Sequence, residues 1–179
     1  MNPKTSGKYE DRVFVNCPFD EQYANLFDAI IFAIFDCGFV PRCAREEQDA
    51  GNVRAHKLQE LIKDCRFGLH DISRVELDRK TKLPRFNMPY ELGVFLGAKR
   101  FGDGKQKRKI CMILERRRYS YQKYISDIAG QDIQAHNNRP EEAVRIVRNW
   151  LHSASGRRPI PGANVIWQRH CAFGRDLPQ

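Results

Sequence analysis

The chain has no apolar run long enough to cross a bilayer, which takes about 20 residues. Its cysteines form no Cys-x-x-Cys pair and keep no zinc-type spacing to histidine, so no metal site is expected. No Gly-x-Gly-x-x-Gly follows the first apolar run and no Walker lysine loop occurs, which argues against ordinary dinucleotide-fold dehydrogenases and P-loop enzymes. No internal repeat or second domain is visible. The segment Met1–Lys8 is polar and lacks the apolar centre of a signal peptide. It reads as a flexible lead over residues 1–11, and a cytoplasmic location is expected. The six cysteines are then expected as free thiols, with Cys65 and Cys111 inside apolar segments.

What is present fits one folded unit. The 179 residues are 41% hydrophobic and 30% charged, enough for a real core. The net charge of +9 favours anionic partners, phosphates or nucleic acid; a basic solvated surface is the plainer reading. The surplus clusters at Lys105–Lys109, Arg116–Arg118 and Arg157–Arg158, all expected in loops.

Along the chain, strand-like and helix-like patterns alternate. Val13–Val15 is a short buried strand stopped by Pro18. Tyr23, Leu26, Phe27, Ile30, Ile31 and Ile34 then recur at helical spacing, and Gly38 ends the run. Phe32 and Phe35 make this helix apolar nearly all round, so it is either buried on two sides or lies at a dimer contact. A second strand starts at Phe39–Val40 and ends near Cys43. The 45–51 segment is a polar loop, and Asn52 can cap a helix in which Leu58, Leu61, Ile62 and Cys65 share a face. Phe67–Ile72 is a third strand, and the charged stretch Val75–Phe86 is long enough for a lid or rim. A third helix covers about Met88–Lys99, where Pro89 is tolerated in the first turn. Ile110–Leu114 is a fourth strand. Tyr119–Ile133 reads as a short helix and a short edge strand. Pro140 opens a helix that Gly156 stops. The tail, 157–179, is expected to pack on the 12–156 domain, with one apolar patch at Val165–Trp167. This alternation predicts an α/β architecture: a parallel sheet of about five strands with helices on both faces.

In such a sheet the loops after the strands meet along one edge, where ligands bind. The first loop brings Asn16, Pro18, Phe19 and Asp20; the second brings Arg42, Arg45 and Glu46; the third brings Asp71, Ser73 and Arg74 and leads through Asn87 to Tyr90 and Glu91. Arginines can fork onto phosphate, Asp71 or Asp20 can accept from ribose hydroxyls, and Phe19 can stack on a base. Glu91 has the sharpest chemical meaning. Cleaving an N-glycosidic bond builds positive charge on the anomeric carbon, which a carboxylate stabilises or attacks. The competing reading is a first-turn Glu91 that complements the helix dipole, worth under about 1 kcal/mol. Asp71 can instead cap a turn, and Asn87 can instead cap the helix. His70 alternates with Asp71 and is expected under a helix on the opposite face. Ser73 lacks a nucleophile elbow and an evident histidine partner, which argues against a serine hydrolase.

The segments Asn16–Asp20, His70–Arg74 and Asn87–Gly93 resemble those of nucleoside 2-deoxyribosyltransferase-like and TIR-like proteins, over about Arg12–Leu114. The resemblance implies a single flavodoxin-like domain acting on N-glycosidic bonds of nucleosides, nucleotides or NAD. It implies Glu91 as nucleophile or cation stabiliser, Asp71 orienting sugar or base, and Tyr90 and Asn87 shaping the pocket. It also implies a place in bacterial defence, as an NAD-consuming effector or a nucleotide sensor. No cofactor is expected, NAD entering as substrate, and a homo-oligomer fits the apolar first helix. Three readings therefore stand: an N-glycosidase or N-glycosyltransferase, a non-catalytic nucleotide-sensing module, and, less favoured, a nucleic-acid-binding protein.

Overall fold

The β-branched and aromatic runs of the chain form the central strands, whose side chains are almost all buried. A computed structural model describes residues 8–44, 54–74, 86–156 and 159–176. Its strands are β1 (Arg12–Asn16), β2 (Val40–Arg42), β3 (Phe67–Asp71), β4 (Ile110–Glu115) and β5 (Ile133–Ala135). They form a five-stranded sheet in the order β2-β1-β3-β4-β5, parallel throughout. That is the flavodoxin-like order, with its topological switch point between β1 and β3. Edge strand β2 carries Pro41, and an edge is where a strand tolerates a residue with no N–H.

The helices are α1 (Ala24–Asp36), α2 (Arg54–Lys63), α3 (Asn87–Phe101), α4 (Gly104–Lys107), α5 (Pro140–Ser155) and α6 (Ala163–Asp176). Period-two alternation sorts the strand side chains. Val13, Val15, Phe67 and Leu69 join α1, α5 and α6 in the main core. Phe14 points the other way, to Leu58, Leu61, Ile62 and Phe95 of α2 and α3. No helix among the described residues is long and apolar enough to cross a membrane.

Several details differ from the sequence expectation. Residues Tyr9–Asp11, expected in the flexible lead, form a 3-10 turn held to the body of the fold. The Tyr9 hydroxyl donates to the Lys105 carbonyl at 2.7 Å, and Glu10 pairs with Arg66 and Arg108. The Lys105–Lys109 run is not a solvated loop. Asp103 caps α4 by accepting from the Lys105 and Gln106 amides, and Lys109 is 1% exposed. Its ammonium donates to the Ile62 and Cys65 carbonyls, closing the C-terminal end of α2, and lies 4.7 Å from the centre of the Phe95 ring. Desolvation lowers that ammonium's pKa to about 8. Tyr119–Ile133 holds two 3-10 turns, Ser120–Lys123 and Ser126–Ile128, before β5. The apolar patch Val165–Trp167 belongs to α6, which lies on α1 and α5 and buries Ile166 fully. Phe32 meets His170 and Phe173 at ring distances of 5.4 and 5.7 Å. The all-round apolar character of α1 thus matches burial on two sides, although Phe35 stays 57% exposed. The expected features at 1–7, 45–53, 75–85, 157–158 and 177–179 lie outside the described residues; they include Arg45, Glu46, the Asn52 cap, the possible lid and the Arg157–Arg158 pair.

One glycine sets how closely α3 approaches the sheet. A Cβ on Gly68 in β3 would lie 2.5 Å from the Phe95 ring and 2.9 Å from His70 Nε2. Both neighbours are buried and cannot swing away. Gly68→Ala is therefore expected to destabilise by about 1–3 kcal/mol through overpacking. Urea unfolding of the two proteins measures this as a lower midpoint at unchanged slope.

Candidate functional site

The C-terminal ends of β1 and β3 lie side by side, with Asn16 opposite His70. Each strand ends in polar residues that are almost fully buried: Asn16, His70 and Asp71. The Asn16 amide nitrogen has two protons, and both are used. One is directed at His70 Nδ1 at 3.0 Å, and the other goes to the Met88 carbonyl in the first turn of α3 at 2.9 Å. His70 Nδ1 is therefore an acceptor, and the ring proton resides on Nε2. That nitrogen faces the Phe95 ring, whose centre is 5.0 Å from the imidazole centre, edge-on. It has no other partner among the described residues. Burial, aided by the Lys109 charge, lowers the His70 pKa to about 3. As expected, His70 lies under α3, on the face opposite Asp71.

Asp71 is enclosed by donors on the α1 and α5 side. Its Oδ1 accepts from the Ser73 amide at 2.8 Å. Its Oδ2 accepts from the Tyr23 hydroxyl and lies 3.0 Å from His136 Nε2. Burial alone would raise this carboxyl, but hydrogen bonds from His136, Ser73 and Tyr23 more than offset it, and the pKa falls below the ordinary value. The Tyr23 phenol moves the other way: burial and the adjacent carboxylate push it well above its usual range.

Ser73 does have a histidine partner. His136, fully buried just beyond β5, brings Nε2 to 3.0 Å from Ser73 Oγ. The geometry is nevertheless not a nucleophilic triad. The Asn138 amide donates to His136 Nδ1 at 3.0 Å, so Nδ1 is the acceptor and the proton sits on Nε2. That one N–H faces both Asp71 and Ser73, which leaves no basic lone pair to take the serine proton.

Glu91 is the fifth residue of α3, one place beyond its first turn, and Phe86 rather than Asn87 occupies the cap position. The dipole contribution expected of a first-turn acid is correspondingly reduced. Glu91 instead belongs to the buried stripe Met88, Glu91, Leu92 and Phe95. Asn16 holds the Met88 carbonyl and His70 packs on Phe95, so Glu91, midway between them, lies over the ends of β1 and β3. The described residues include three buried acids: Asp71 and Glu115 at 0% exposure and Glu91 at 9%. Glu115 accepts from the Tyr119 and Tyr121 amides and the Ser120 hydroxyl, which fixes the turn after β4. Of the three, only Glu91 reaches the surface.

The other expected site residues take varied positions. Arg74 reaches across from β3 to the loop after β1, donating to Asp20 at 2.6 Å and Gln22 at 3.1 Å. These two expected ligand-binding residues therefore hold each other. Pro18 is buried, and half-buried Phe19 meets Phe27 of α1 at 5.6 Å between ring centres. Arg42 ends β2, while Asn87 and Tyr90 are exposed at the start of α3. Tyr23 and His136 were missing from the expected set. Tyr23 reads as one more apolar position of a helix. His136 had a weak signal, since it directly follows the short edge strand, at the same sheet edge. No group of three or more possible metal ligands occurs among the described residues. No protein-family model matches the chain, nor does any curated protein.

The His70 geometry has a pH consequence. Its folded pKa, about 3, lies below its ordinary 6.5, so between these values the unfolded chain binds a proton that the folded chain refuses. Stability should fall as pH drops from about 6.5 towards 3. His70→Gln, which keeps an acceptor for Asn16, should flatten that slope by about one proton in urea unfolding measured at stepped pH.

Proposed function

We propose that this protein cleaves the N-glycosidic bond of a nucleotide, nucleoside or NAD, with Glu91 as the working carboxylate. The observation that carries the reading is the position of Glu91: a nearly buried acid that still reaches the surface, over the switch point where this sheet order binds ligands. In the reaction the bond between the anomeric carbon and the base nitrogen breaks, and the base leaves with the electron pair. The Glu91 carboxylate shields the cationic carbon or bonds to it as an ester. Water, or a second acceptor hydroxyl or base, then takes that carbon and gives up its proton.

The remaining residues have supporting parts in this reading. Tyr90, exposed one residue before Glu91, offers a ring to the base. Arg74 meets a substrate phosphate by exchanging Asp20 for it. Asp71, closed off by protein donors, acts as a positioning residue that holds the Ser73–Arg74 turn and leaves sugar contact to others. Asn16 sets the start of α3, and with it the reach of Glu91.

The test is base release. The protein and its Glu91→Gln variant are incubated with NAD, nucleoside monophosphates and deoxynucleosides, and products are resolved by chromatography. Free nicotinamide or nucleobase is expected from the wild type, at a rate at least about a hundredfold lower in the folded variant. Ser73→Ala should keep most of the turnover. Full activity in Glu91→Gln would overturn the proposal.

A further inference from the structure

A groove rich in basic residues lies at the opposite edge of the sheet. A groove of about 820 Å³ runs between the end of α3, α4 and the approach to β5, lined by Lys99, Arg100, Lys107, Cys111, Gln131 and Asp132. Cys111 is the second residue of β4, and Gln131 and Asp132 precede β5, so this is the N-terminal edge of the strands. Lys99 follows Glu91 by eight helical residues, a separation of about 12 Å along α3.

The charge here is out of balance. Lys99, Arg100 and Lys107 are exposed, and none has an ion pair among the described residues. The one acid in the lining, Asp132, accepts from Gln134 at 2.5 Å. The plainer account is that Lys99 and Arg100 complement the C-terminal dipole of α3, but that end carries only about half a negative charge. Three cations against one acid and half a charge leave a clear positive excess, in a chain of net charge +9.

An exposed aromatic closes the same helix, just outside the lining of the groove. Phe101 ends α3 directly after Arg100 and is 86% exposed, more than any other large hydrophobic among the described residues. Exposed cations and an exposed aromatic at one helix end are the two elements that single-stranded nucleic acid uses: cations follow the phosphates and an aromatic face takes a base. A free phosphate would draw on the cations alone, and a mononucleotide could not reach several cations and the ring together.

We infer that the groove binds single-stranded nucleic acid, with Lys99, Arg100 and Lys107 on the backbone and Phe101 stacked on a base. The site is separate from that of Glu91 and does not depend on the reaction assigned there.

The experiment is a fluorescence-anisotropy titration of a labelled oligothymidylate from about 50 to 200 mM salt. The purified chain is compared with Lys99→Gln/Arg100→Gln/Lys107→Gln and with a charge-matched control, Arg117→Gln/Arg118→Gln/Lys123→Gln. All six positions are exposed, so the folds should survive, which circular dichroism checks. The wild type should bind with a marked salt dependence. The groove variant should lose about two units of log–log salt slope, at about 0.7 per phosphate contact, while the control loses far less. Phe101→Ala should weaken binding about tenfold with an unchanged slope. The inference is overturned by absent or salt-insensitive binding, by equal losses in the two triple variants, or by an affinity indifferent to Phe101 and competed away by pyrophosphate.

Discussion

The amide group of Asn16 is the contact on which the candidate site depends. It sits at the end of β1, orients the imidazole at the end of β3, and holds a backbone carbonyl at the start of α3. Three elements that are remote in sequence are thereby brought into register by one nitrogen. Because both its protons are engaged in a dry environment, neither bond can be lost without leaving a buried polar group unpaired. The fixed imidazole gives Phe95 an edge to pack against, and the missing side chain at Gly68 lets Phe95 come that close. The position of Glu91 follows from these restraints at either end of its helical stripe.

The sheet separates two acids that a linear reading places together. Asp71 belongs to the α1 and α5 side, where Tyr23, Ser73 and His136 saturate it. Glu91 belongs to the α3 side. An acid surrounded by fixed donors is locked in one ionisation state and one geometry, which suits a support. Glu91 keeps a small exposed fraction that Asp71 lacks. The two carboxylates therefore differ in setting: one is closed off by protein donors beneath the edge, the other lies on the opposite face with a small part exposed.

Much of this architecture was legible from residue patterns. The alternation of apolar runs predicted a parallel sheet, and period-two logic placed His70 beneath α3. Pro140 and Gly156 bounded α5 as expected. What stayed hidden depends on partners far away in sequence. Lys109 sits in a basic run and is indistinguishable there from its exposed neighbours; only the fold brings two helix-end carbonyls to it. His136 becomes meaningful once β5 lies beside β4 and the Asn138 amide selects its tautomer. Arg74 and Asp20 each read as ligand contacts, and their pairing emerged when two loops faced each other. The α6 helix was obscured by the Pro- and Gly-containing stretch before it, and what covers the outer face of α1 was obscured with it.

The buried ammonium of Lys109 bears on how this protein would respond to amine-modifying reagents. With a pKa near 8 it is chemically readier to acylate than an ordinary lysine. At 1% exposure it is sterically closed, and its charge is held by carbonyls at the end of α2. Intrinsic reactivity and accessibility thus oppose each other at one atom. Acylation there requires the packing around this ammonium, which includes Tyr9, Phe95 and the end of α2, to open, so labelling of this residue would track transient opening of the fold rather than surface chemistry.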